Sequence, residues 1–280
     1  MKYLIIGDSS TNLSKEECQT YHAKIAPLSI MIDDKEYIDN ETLNLDEFLE
    51  HLSTTKSVAK SSCPSSHAYM DLFEEDCDMT FIVTLSGKLS GSYNSAVLAA
   101  NMYREYHPDA RIHVFDSKSA ASSQYLLVRK IHELAEAGLS FEEIVAEGEK
   151  YRDEMQLLFV LDDLSNLEKN GRLSALQATI AKMLNLKLIL SQDKNGEIGF
   201  AHKARGTKKT LAKLVATMKD YKKIASDTRI AVFHCAALEK AMALKESIES
   251  MYGEISDIRI VQMFGLNSTY AQVGGIIITF

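Results

Sequence analysis

The stretch FIVTLSGKLSGSYNSAVLAANM, residues 81–102, joins a short apolar run to a helical pattern through a loop of serines and glycines. Phe81–Leu85 is short, apolar and bounded by a turn signal, which predicts a buried strand. The segment Ser86–Ala96 then leads into apolar residues at helical spacing. Strands that alternate with helices are typical of α/β proteins with parallel sheets. The stretch therefore predicts an α/β fold.

The same loop is the strongest candidate for a binding site. Serine hydroxyls and unpaired backbone amides at a helix N-terminus bind anions such as phosphate, sulfate or carboxylate. Gly87 and Gly91 are four residues apart, so neither the Walker pattern nor GxGxxG is present. A serine-capped helix after a tight turn would explain the same residues, and the local sequence does not decide between these interpretations.

The rest of the first half repeats the alternation of strands and helices. Further strands are predicted for three apolar runs, Tyr3–Ile6, Leu28–Ile32 and Ile112–Phe115. Helices are predicted to begin near Asp46, near Ser65 or Ser66, and after Ser140, which forms a capping box with Glu143. Because parallel neighbours need a crossover connection, this order predicts parallel pairing.

The second half contains more strands and a hairpin signal. Asn195–Gly196 is a two-residue turn between the apolar runs Leu186–Leu190 and Ile198–Ala201. Other strands are predicted for Leu157–Leu161, Arg229–His234, Ile258–Met263 and Gly275–Phe280. Helices are predicted for Leu164–Lys169, for Ser174–Leu184, and for two apolar stripes that contain Leu214 and Leu244. We predict two α/β domains, residues 1–155 and 156–280, with an approximate boundary.

Composition and charge exclude several classes of protein. The 280 residues are 46% apolar and 25% charged, which is typical of a globular chain of one or two domains. A net charge of −8 argues against nucleic acid as the main partner. The opening MKYLIIGDSS has too few consecutive apolar residues for a signal peptide or a membrane span. Four single cysteines in no zinc-like pattern predict neither a metal site nor a redox pair, and indicate a reducing, cytoplasmic compartment. No cofactor is expected.

Two further loops are rich in hydroxyls, Ala59–Ser66 and Phe115–Gln124. In an open parallel sheet, loops at the carboxyl ends of the strands meet at one edge, where ligands bind. We therefore expect these two loops and Ser86–Ala96 to converge on one binding site.

A basic segment, Lys203–Lys223, carries eight basic residues and one acidic residue. A solvated helix face is the ordinary explanation for such a run. The functional alternatives are a docking surface for an acidic partner and a contact between Arg205 and a ligand phosphate. A protein-binding scaffold that uses this helix would have its interior filled by side chains.

Two enzymatic hypotheses arise from the strand ends. The sequence GDSS at residues 7–10 suggests Ser9 as a hydrolase nucleophile, which needs a histidine base held by a carboxylate. His234, the last histidine, has no Asp three residues before it, so hydrolysis is disfavoured. The alternative is a small-molecule kinase or phosphotransferase that uses the serine–glycine loop as a phosphate cradle. It would need Mg²⁺ held by Asp8 and Asp116, the only candidate acidic pair at strand ends.

Six segments resemble, in the same order, the motifs of the DegV family of bacterial fatty-acid-binding proteins. They are DSSTNL (8–13), AKSSCPS (59–65), TLSGKLSGSYNSAVLA (84–99), FDSKSAASSQYLLV (115–128), NGRLS (170–174) with LNLKLIL (184–190), and KARGTKK (203–209). The third is the most specific, and the similarity extends over nearly the whole chain.

This resemblance implies a fold and a function. The fold has an N-terminal α/β domain with a parallel, Rossmann-like sheet and a C-terminal α/β domain with a mixed sheet. An apolar cavity between them holds one long-chain fatty acid. The resemblance also implies a carrier without catalysis of its own, whose partner is a soluble fatty acid kinase that phosphorylates the bound carboxylate.

The resemblance also implies individual residue roles. Ser61, Ser90 and the Gly91 amide would hold the carboxylate, and Arg172 and Arg205 match arginines near the head group or the kinase contact. Lys208 and Lys209, in the same motif as Arg205, are assigned to the same partner or head-group contact.

Two departures from the family pattern change these expectations. The segment Gly265–Tyr270 replaces the family's T-H-x-GPG and lacks its histidine, so that Asn267 or Thr269 would bond the carboxylate instead. Ser123 and Tyr125 replace two family glycines, and we expect their side chains to shorten or reshape the cavity.

Overall fold

The computed structural model of the chain describes residues 1–177 and 186–280. The first half contains, in chain order, β1 (Tyr3–Asp8), α1 (Lys15–Thr20), β2 (Ala23–Ala26), β3 (Ser29–Ile32), β4 (Lys35–Ile38), α2 (Leu45–Thr54), β5 (Lys60–Ser62), α3 (Ser66–Met70), β6 (Met79–Thr84), α4 (Ser92–Tyr106), β7 (Ile112–Asp116), α5 (Ser122–Glu136) and α6 (Phe141–Glu154).

The second half contains β8 (Leu157–Val160), α7 (Ser165–Lys169), β9 (Lys187–Gln192), β10 (Ile198–Ala204), α8 (Thr207–Tyr221), β11 (Arg229–His234), α9 (Leu238–Tyr252), β12 (Asp257–Gln262), α10 (Gly265–Ala271) and β13 (Ile276–Thr279). Only the start of the predicted helix Ser174–Leu184 is described, as a 3₁₀ turn over Ser174–Leu176. Its remainder, 178–184, lies outside the described residues.

The described strands form a parallel sheet, a mixed sheet and a small antiparallel sheet. The parallel sheet has the order β2-β1-β6-β7. The mixed sheet has the order β10-β9-β8-β13-β11-β12, in which only β11 and β12 pair in parallel. The α/β fold class with a parallel and a mixed sheet is thus confirmed.

Helix α5 lies between the two large sheets. Leu127 and Ile131 of α5 belong to one apolar core that also contains Phe81 of the parallel sheet and Phe159 and Phe233 of the mixed sheet. Helices α3 and α4 cover the opposite face of the parallel sheet, and helices α8 and α9 cover the opposite face of the mixed sheet. Side chains from both halves therefore share one core, and the division at residue 155 stays a prediction.

The prediction of one parallel arrangement was wrong for Leu28–Ile32. This run forms β3, which pairs antiparallel with β4 and β5 in the small sheet. A two-residue turn after Ile32, with Asp33 at φ 53°, reverses the chain into β4. The strand next to β1 is instead β2, a half-buried run with little alternation of polarity. Ser61 therefore lies on β5, an antiparallel strand, and not after a parallel one.

A helix that crosses a bilayer needs about 20 consecutive, predominantly apolar residues. None of those within residues 1–177 and 186–280 is both long and apolar enough to cross a membrane.

Candidate ligand-binding cavity

A cavity of about 450 Å³ lies where the loops of the parallel sheet meet one face of the mixed sheet. This volume is within the range of small-molecule sites in proteins. Most of its wall is apolar, from both halves of the chain: Leu28, Leu85, Leu89, Ala120, Leu157, Phe159, Leu161, Leu167, Ile198, Leu266, Ala271 and Ile277. Such a wall gains free energy by burying hydrocarbon. The cavity is open space, which does not fit the hypothesis of a scaffold with a filled interior.

One group of polar residues in the cavity wall contains most of the predicted carboxylate ligands. Ser61, Ser90, Gly91 and Arg172 all line the cavity. The loops Ala59–Ser66 and Ser86–Ala96 contribute to this group, and Phe115–Gln124 contributes elsewhere to the wall. The three hydroxyl-rich loops therefore converge on one cavity, as expected, although Ala59–Ser66 reaches it from the antiparallel sheet.

Ser61 shares a hydrogen bond with Tyr270, and both residues line the cavity. The Ser61 Oγ and Tyr270 Oη atoms are 2.8 Å apart. Tyr270 lies in the last turn of α10, three residues after Asn267. Sequence reasoning named Asn267 and Thr269 in this segment and missed Tyr270. The Thr269 hydroxyl donates to the Gly265 carbonyl within the helix and is not available to a ligand.

The N-terminus of α4 contributes a backbone amide to the polar group. The Ser92 amide, the first of the helix, donates to Ser90 Oγ at 3.2 Å. For the Gly91 amide no hydrogen-bond acceptor is found among the residues that the structure describes. A side chain at Gly91 would place its Cβ 3.0 Å from Cys63 Sγ, so glycine keeps the approach to this amide open. An unpaired amide at the N-terminus of a 15-residue helix favours an anion.

Arg172 brings a positive charge to the same place. Its Nε donates to the Leu89 carbonyl at 3.2 Å, and its guanidinium carbon lies 5.9 Å from the centre of the Tyr270 ring. Gly171, at φ 78°, makes the turn that brings Arg172 back towards the Ser86–Ala96 loop. The guanidinium is half-buried and forms no ion pair with a carboxylate of the described residues. The site thus combines hydroxyls, an amide and one cation.

Asn267 lines the cavity, but its amide already has partners inside the protein. Its Oδ1 accepts from Ser10 Oγ at 2.9 Å, and its Nδ2 donates to the Ser10 carbonyl at 3.0 Å and to Asn12 Oδ1 at 3.1 Å. These bonds join α10 to the turn after β1. The predicted contact of Asn267 with a carboxylate stays a prediction.

The predicted basic contact residues lie elsewhere on the molecule. Arg205, Lys208 and Lys209 are exposed at and before the start of α8. None of them is among the described residues that line the cavity. They belong to an outer surface, and their role in a partner contact stays a prediction.

Asp8 fixes the loop that carries the site and is fully buried. Its carboxylate accepts from the Leu85 amide and Ser92 Oγ at 2.7 Å each, from Gln124 Nε2 at 2.9 Å and from the Ser10 amide at 3.2 Å. Burial raises the pKa of Asp8 even though these donors act to lower it. Asp8 therefore ties the end of β1 to both ends of the loop between β6 and α4.

The same bonds disfavour the phosphotransferase hypothesis. The oxygens of Asp8 are occupied by internal donors, and Asp116 accepts from the Gly87 and Lys118 amides. The Gly87 amide, which a phosphate cradle would need, therefore already faces a carboxylate. Within residues 1–177 and 186–280, the group of side chains with metal-ligand spacing is Glu74, Asp76 and Cys77, away from this cavity.

The expectation that Ser123 and Tyr125 shorten or reshape the cavity stays a prediction. The Ser123 hydroxyl hydrogen-bonds Thr279 Oγ1 at 2.9 Å, and the Tyr125 hydroxyl donates to Glu17 at 2.6 Å. Both side chains are buried around α5, and neither is among the described residues that line the cavity. They fill the space between the two large sheets.

Comparison with known proteins identifies the family. The family model described as "Uncharacterised protein, DegV family" matches residues 2–278. The chain belongs to the DegV family. A DegV domain-containing protein of Streptococcus pneumoniae is 36% identical over 282 residues, which cover 100% of this chain and 99% of the relative.

Solved structures of DegV proteins have the same fold. A DegV family protein of Ruminococcus gnavus, refined with vaccenic acid, is 36% identical with a TM-score of 0.94 over 99% of both chains. The Streptococcus pneumoniae Fatty Acid Kinase (Fak) B3 protein, loaded with linoleic acid, is 35% identical with a TM-score of 0.88 over 100% of this chain and 99% of that one. A DegV protein of Eubacterium eligens loaded with heptadecanoic acid is 30% identical with a TM-score of 0.89, over 99% of this chain and 98% of that one.

Proposed function

We propose that this chain binds one long-chain fatty acid in the cavity and presents its carboxylate to a fatty acid kinase. The observation that carries the proposal is a largely apolar cavity with a cluster of hydroxyls, one free amide and one guanidinium in its wall. Three family members that cover almost the whole chain are described with three different fatty acids, which supports this class of ligand.

In this proposal the carboxylate is held by Ser61 with Tyr270, by Ser90 with the Gly91 amide, and by Arg172. Hydrogen bonds from such donors to a charged acceptor are about twice as strong as neutral ones. Asn267 belongs to the same wall and holds its position through Ser10 and Asn12.

The apolar wall supplies most of the affinity. Each buried CH₂ group contributes about 0.8 kcal/mol. An acyl chain of about sixteen carbons therefore gains on the order of 10 kcal/mol before the entropy of association is subtracted. The polar group then fixes the orientation of the ligand.

The proposed partner is the kinase that phosphorylates the bound carboxylate to an acyl phosphate. The description of the pneumococcal relative as a fatty acid kinase B3 protein supports this partner. Gly91, a proposed carboxylate ligand, and the neighbouring Ser62 and Cys63 are exposed, so a second protein can reach this group. We assign the exposed Arg205, Lys208 and Lys209 to contact with an acidic surface of that protein. The chain itself acts as a carrier, in the cytoplasm.

Native mass spectrometry of the chain purified from a bacterial host tests the proposal directly. We expect an added mass equal to one long-chain fatty acid, which organic extraction removes and added oleic acid restores. A chain that arrives without a fatty acid and takes up none when oleic acid is added would refute the proposed function.

Ser90→Ala tests the placement of the carboxylate. Loss of one donor to a charged carboxylate in this half-buried site is expected to weaken oleic acid binding by roughly 5- to 100-fold. Ser247→Ala is the matched control, because that hydroxyl bonds only the Ala243 carbonyl on an exposed helix face. Since Ser90 Oγ also accepts from the first amide of α4, thermal stability is measured alongside. Unchanged affinity in Ser90→Ala would remove Ser90 from the site.

A further inference from the structure

Two asparagine side chains of α7 lie behind the polar part of the cavity wall. Asn166 is in the first turn of this helix and Asn170 directly follows its last residue. Residues four apart lie on the same face of a helix. Asn166 is buried and Asn170 is half-buried, and neither is among the described residues that line the cavity. Their carboxamides therefore act on the protein around the site and not directly on a ligand.

The Asn166 carboxamide holds the helix that carries Tyr270. Its Nδ2 atom donates at 2.8 Å to the carbonyl of Thr269, which directly precedes Tyr270 in α10. The same carbonyl also accepts from Gln272 Nε2 at 2.6 Å. Helix α10 has seven residues, and isolated helices of that length are unstable in water. The position of Tyr270 therefore depends on contacts such as this one with a neighbouring element.

The Asn170 carboxamide holds the strand that carries Ser61. Its Nδ2 atom donates at 3.0 Å to the carbonyl of Ala59, directly before β5. Strand β5 has three residues and lies at the edge of the small antiparallel sheet, so β3 is its one strand neighbour among the described residues. The same Nδ2 atom donates to the Asn166 carbonyl at 2.8 Å, which fixes the carboxamide against α7. Asn170 thus ties the start of β5 to α7.

The same short segment also reaches the loop before α4. Arg172, two residues after Asn170, donates through Nε at 3.2 Å to the carbonyl of Leu89, which directly precedes Ser90. Residues 166–172 therefore bond to the backbone of all three elements that supply the other proposed carboxylate ligands, namely α10, β5 and this loop. Each of the three bonds ends on a backbone carbonyl, so the bonds fix the elements without using the hydroxyl groups of the site.

We propose that Asn166 and Asn170 are positioning residues for the carboxylate site, and that they set where the Ser61 and Tyr270 hydroxyls meet the head group. These two hydroxyls come from opposite halves of the chain and are 2.8 Å apart. Helix α7 holds the backbone beside each of them. A shift of either backbone by about 1 Å would lengthen a bond to the carboxylate beyond the range of a good hydrogen bond. This inference rests on the proposed function.

Asn170→Ala tests the inference, with oleic acid and oleyl alcohol as the two ligands of the delipidated chain. The variant removes the donor to Ala59 and leaves every proposed carboxylate ligand in place. We expect oleic acid to bind roughly 5- to 50-fold more weakly, because the bond to its charged carboxylate depends on the position of Ser61. Oleyl alcohol buries the same hydrocarbon without a charge, so its affinity should fall by at most about threefold. Asn101→Ala is the matched control, because that exposed side chain bonds Arg104 on the surface of α4, and it should leave both affinities unchanged.

A double-mutant cycle with Ser61→Ala shows whether Asn170 acts through that hydroxyl. We expect Asn170→Ala to change oleic acid affinity by less than about twofold once Ser61 is replaced, so the two effects are not additive. Asn166→Ala, combined in the same way with Tyr270→Phe, is a second cycle at the other hydroxyl. Because Asn166 is 6% exposed, thermal unfolding of the ligand-free variants is measured first. If Asn166→Ala does not fold, the cycle at the half-buried Asn170 decides.

Three results would overturn the inference while leaving the proposed function intact. In the first, Asn170→Ala binds oleic acid as tightly as Asn101→Ala does. In the second, Asn170→Ala weakens oleic acid and oleyl alcohol by one common factor, which would assign the carboxamide a purely structural role. In the third, the effect of Asn170→Ala on oleic acid is as large in the Ser61→Ala background as in the natural chain. Failure of the natural chain to bind oleic acid would instead count against the proposed function.

Discussion

Tyr270 supplies a hydroxyl in the segment where the DegV motif has a histidine. A phenol donates a hydrogen bond as an imidazole does, but it carries no positive charge at neutral pH. In this chain Arg172, whose guanidinium lies 5.9 Å from the Tyr270 ring, brings the charge to the site. In the proposed site, donor and charge are thus divided between two residues, and no histidine is needed to hold the carboxylate.

Tyr270→Phe isolates the contribution of that hydroxyl. The variant keeps the ring beside Arg172 and removes the bond to Ser61, so fatty acid affinity should fall by roughly 5- to 50-fold. Tyr252→Phe is the matched control, because its hydroxyl donates to the Val215 carbonyl away from the cavity. Isothermal titration with oleic acid measures both. Equal affinities in the two variants would show that Tyr270 does not contact the carboxylate.

The sequence predicts the segments that form the site more reliably than it predicts the individual side chains that are free to bind a ligand. Asn267 and Tyr270 lie three residues apart on α10, and both line the cavity. What separates them is that the Asn267 amide is occupied by Ser10 and Asn12, which are more than 250 residues away in the chain. Such long-range pairing leaves no trace in the local pattern, so a polar residue with internal partners looks the same as a free one.

At the scale of elements, α10 is held by a carboxylate from the other half of the chain. The Gly265 and Leu266 amides at its N-terminus donate to Asp39 at 2.8 and 2.9 Å. The helix dipole stabilises a negative charge near the N-terminus of a helix. Three residues of α10, Leu266, Asn267 and Tyr270, line the cavity. Asp39, which follows β4 of the small antiparallel sheet, therefore helps to position this part of the cavity wall.

Asp39 predicts a specific pH dependence of stability. Burial, opposed by its amide donors and aided by the nearby charge of Asp8, raises the pKa of Asp39 from 3.8 to about 6. Between these values the folded chain retains a proton that the unfolded chain has released. The stabilisation linked to this proton is therefore fully present below pH 3.8 and is lost as the pH rises through 6. Its full size is on the order of 3 kcal/mol.

Urea unfolding of the natural chain and of Asp39→Asn between pH 4.5 and 7.5 measures this effect. The comparison removes the contributions of groups that do not interact with Asp39. We expect the stability advantage of the natural chain over the variant to shrink by about 2 kcal/mol across this range. An advantage that stays constant, or grows with pH, would contradict the assigned pKa shift.

Elements with strong patterns were predictable, and elements set by tertiary pairing were not. Arg229–His234 was predicted with the bounds that the structure has, because a continuous apolar run signals a buried strand. Leu28–Ile32 was equally apolar, yet its partner is set by the turn at Asp33 and by β5. Strand existence follows from composition, whereas the identity of the neighbouring strand depends on the loops between them.

At the scale of the whole molecule, one apolar core and one cavity join the two halves of the chain. The fold class followed from the alternation of strands and helices and from the family motifs. The open volume between the sheets did not, because it depends on how Leu85 and Leu89 from one half face Phe159 and Ile277 from the other. A bound ligand would therefore contact both halves at once.

A fatty acid should accordingly stabilise the whole chain as one unit. At a free concentration one hundred times the dissociation constant, binding adds about 2.7 kcal/mol to the free energy of unfolding. For a chain of this size that corresponds to a rise of roughly 4–6 °C in melting temperature, in a single transition. Differential scanning fluorimetry of the delipidated chain with oleic acid measures the rise. Oleyl alcohol, which keeps the hydrocarbon but lacks the carboxylate, should produce a smaller one.

Ala120→Phe supplies the matched control for that measurement. Ala120 is half-buried in the cavity wall, so the larger side chain occupies ligand volume. The variant should lose the response to oleic acid, because a filled cavity cannot bury the acyl chain. If oleic acid raised the melting temperature of Ala120→Phe as much as that of the natural chain, the ligand would bind outside this cavity. If only one of two transitions moved on addition of oleic acid, the ligand would contact one half of the chain, and the shared cavity would be the wrong site.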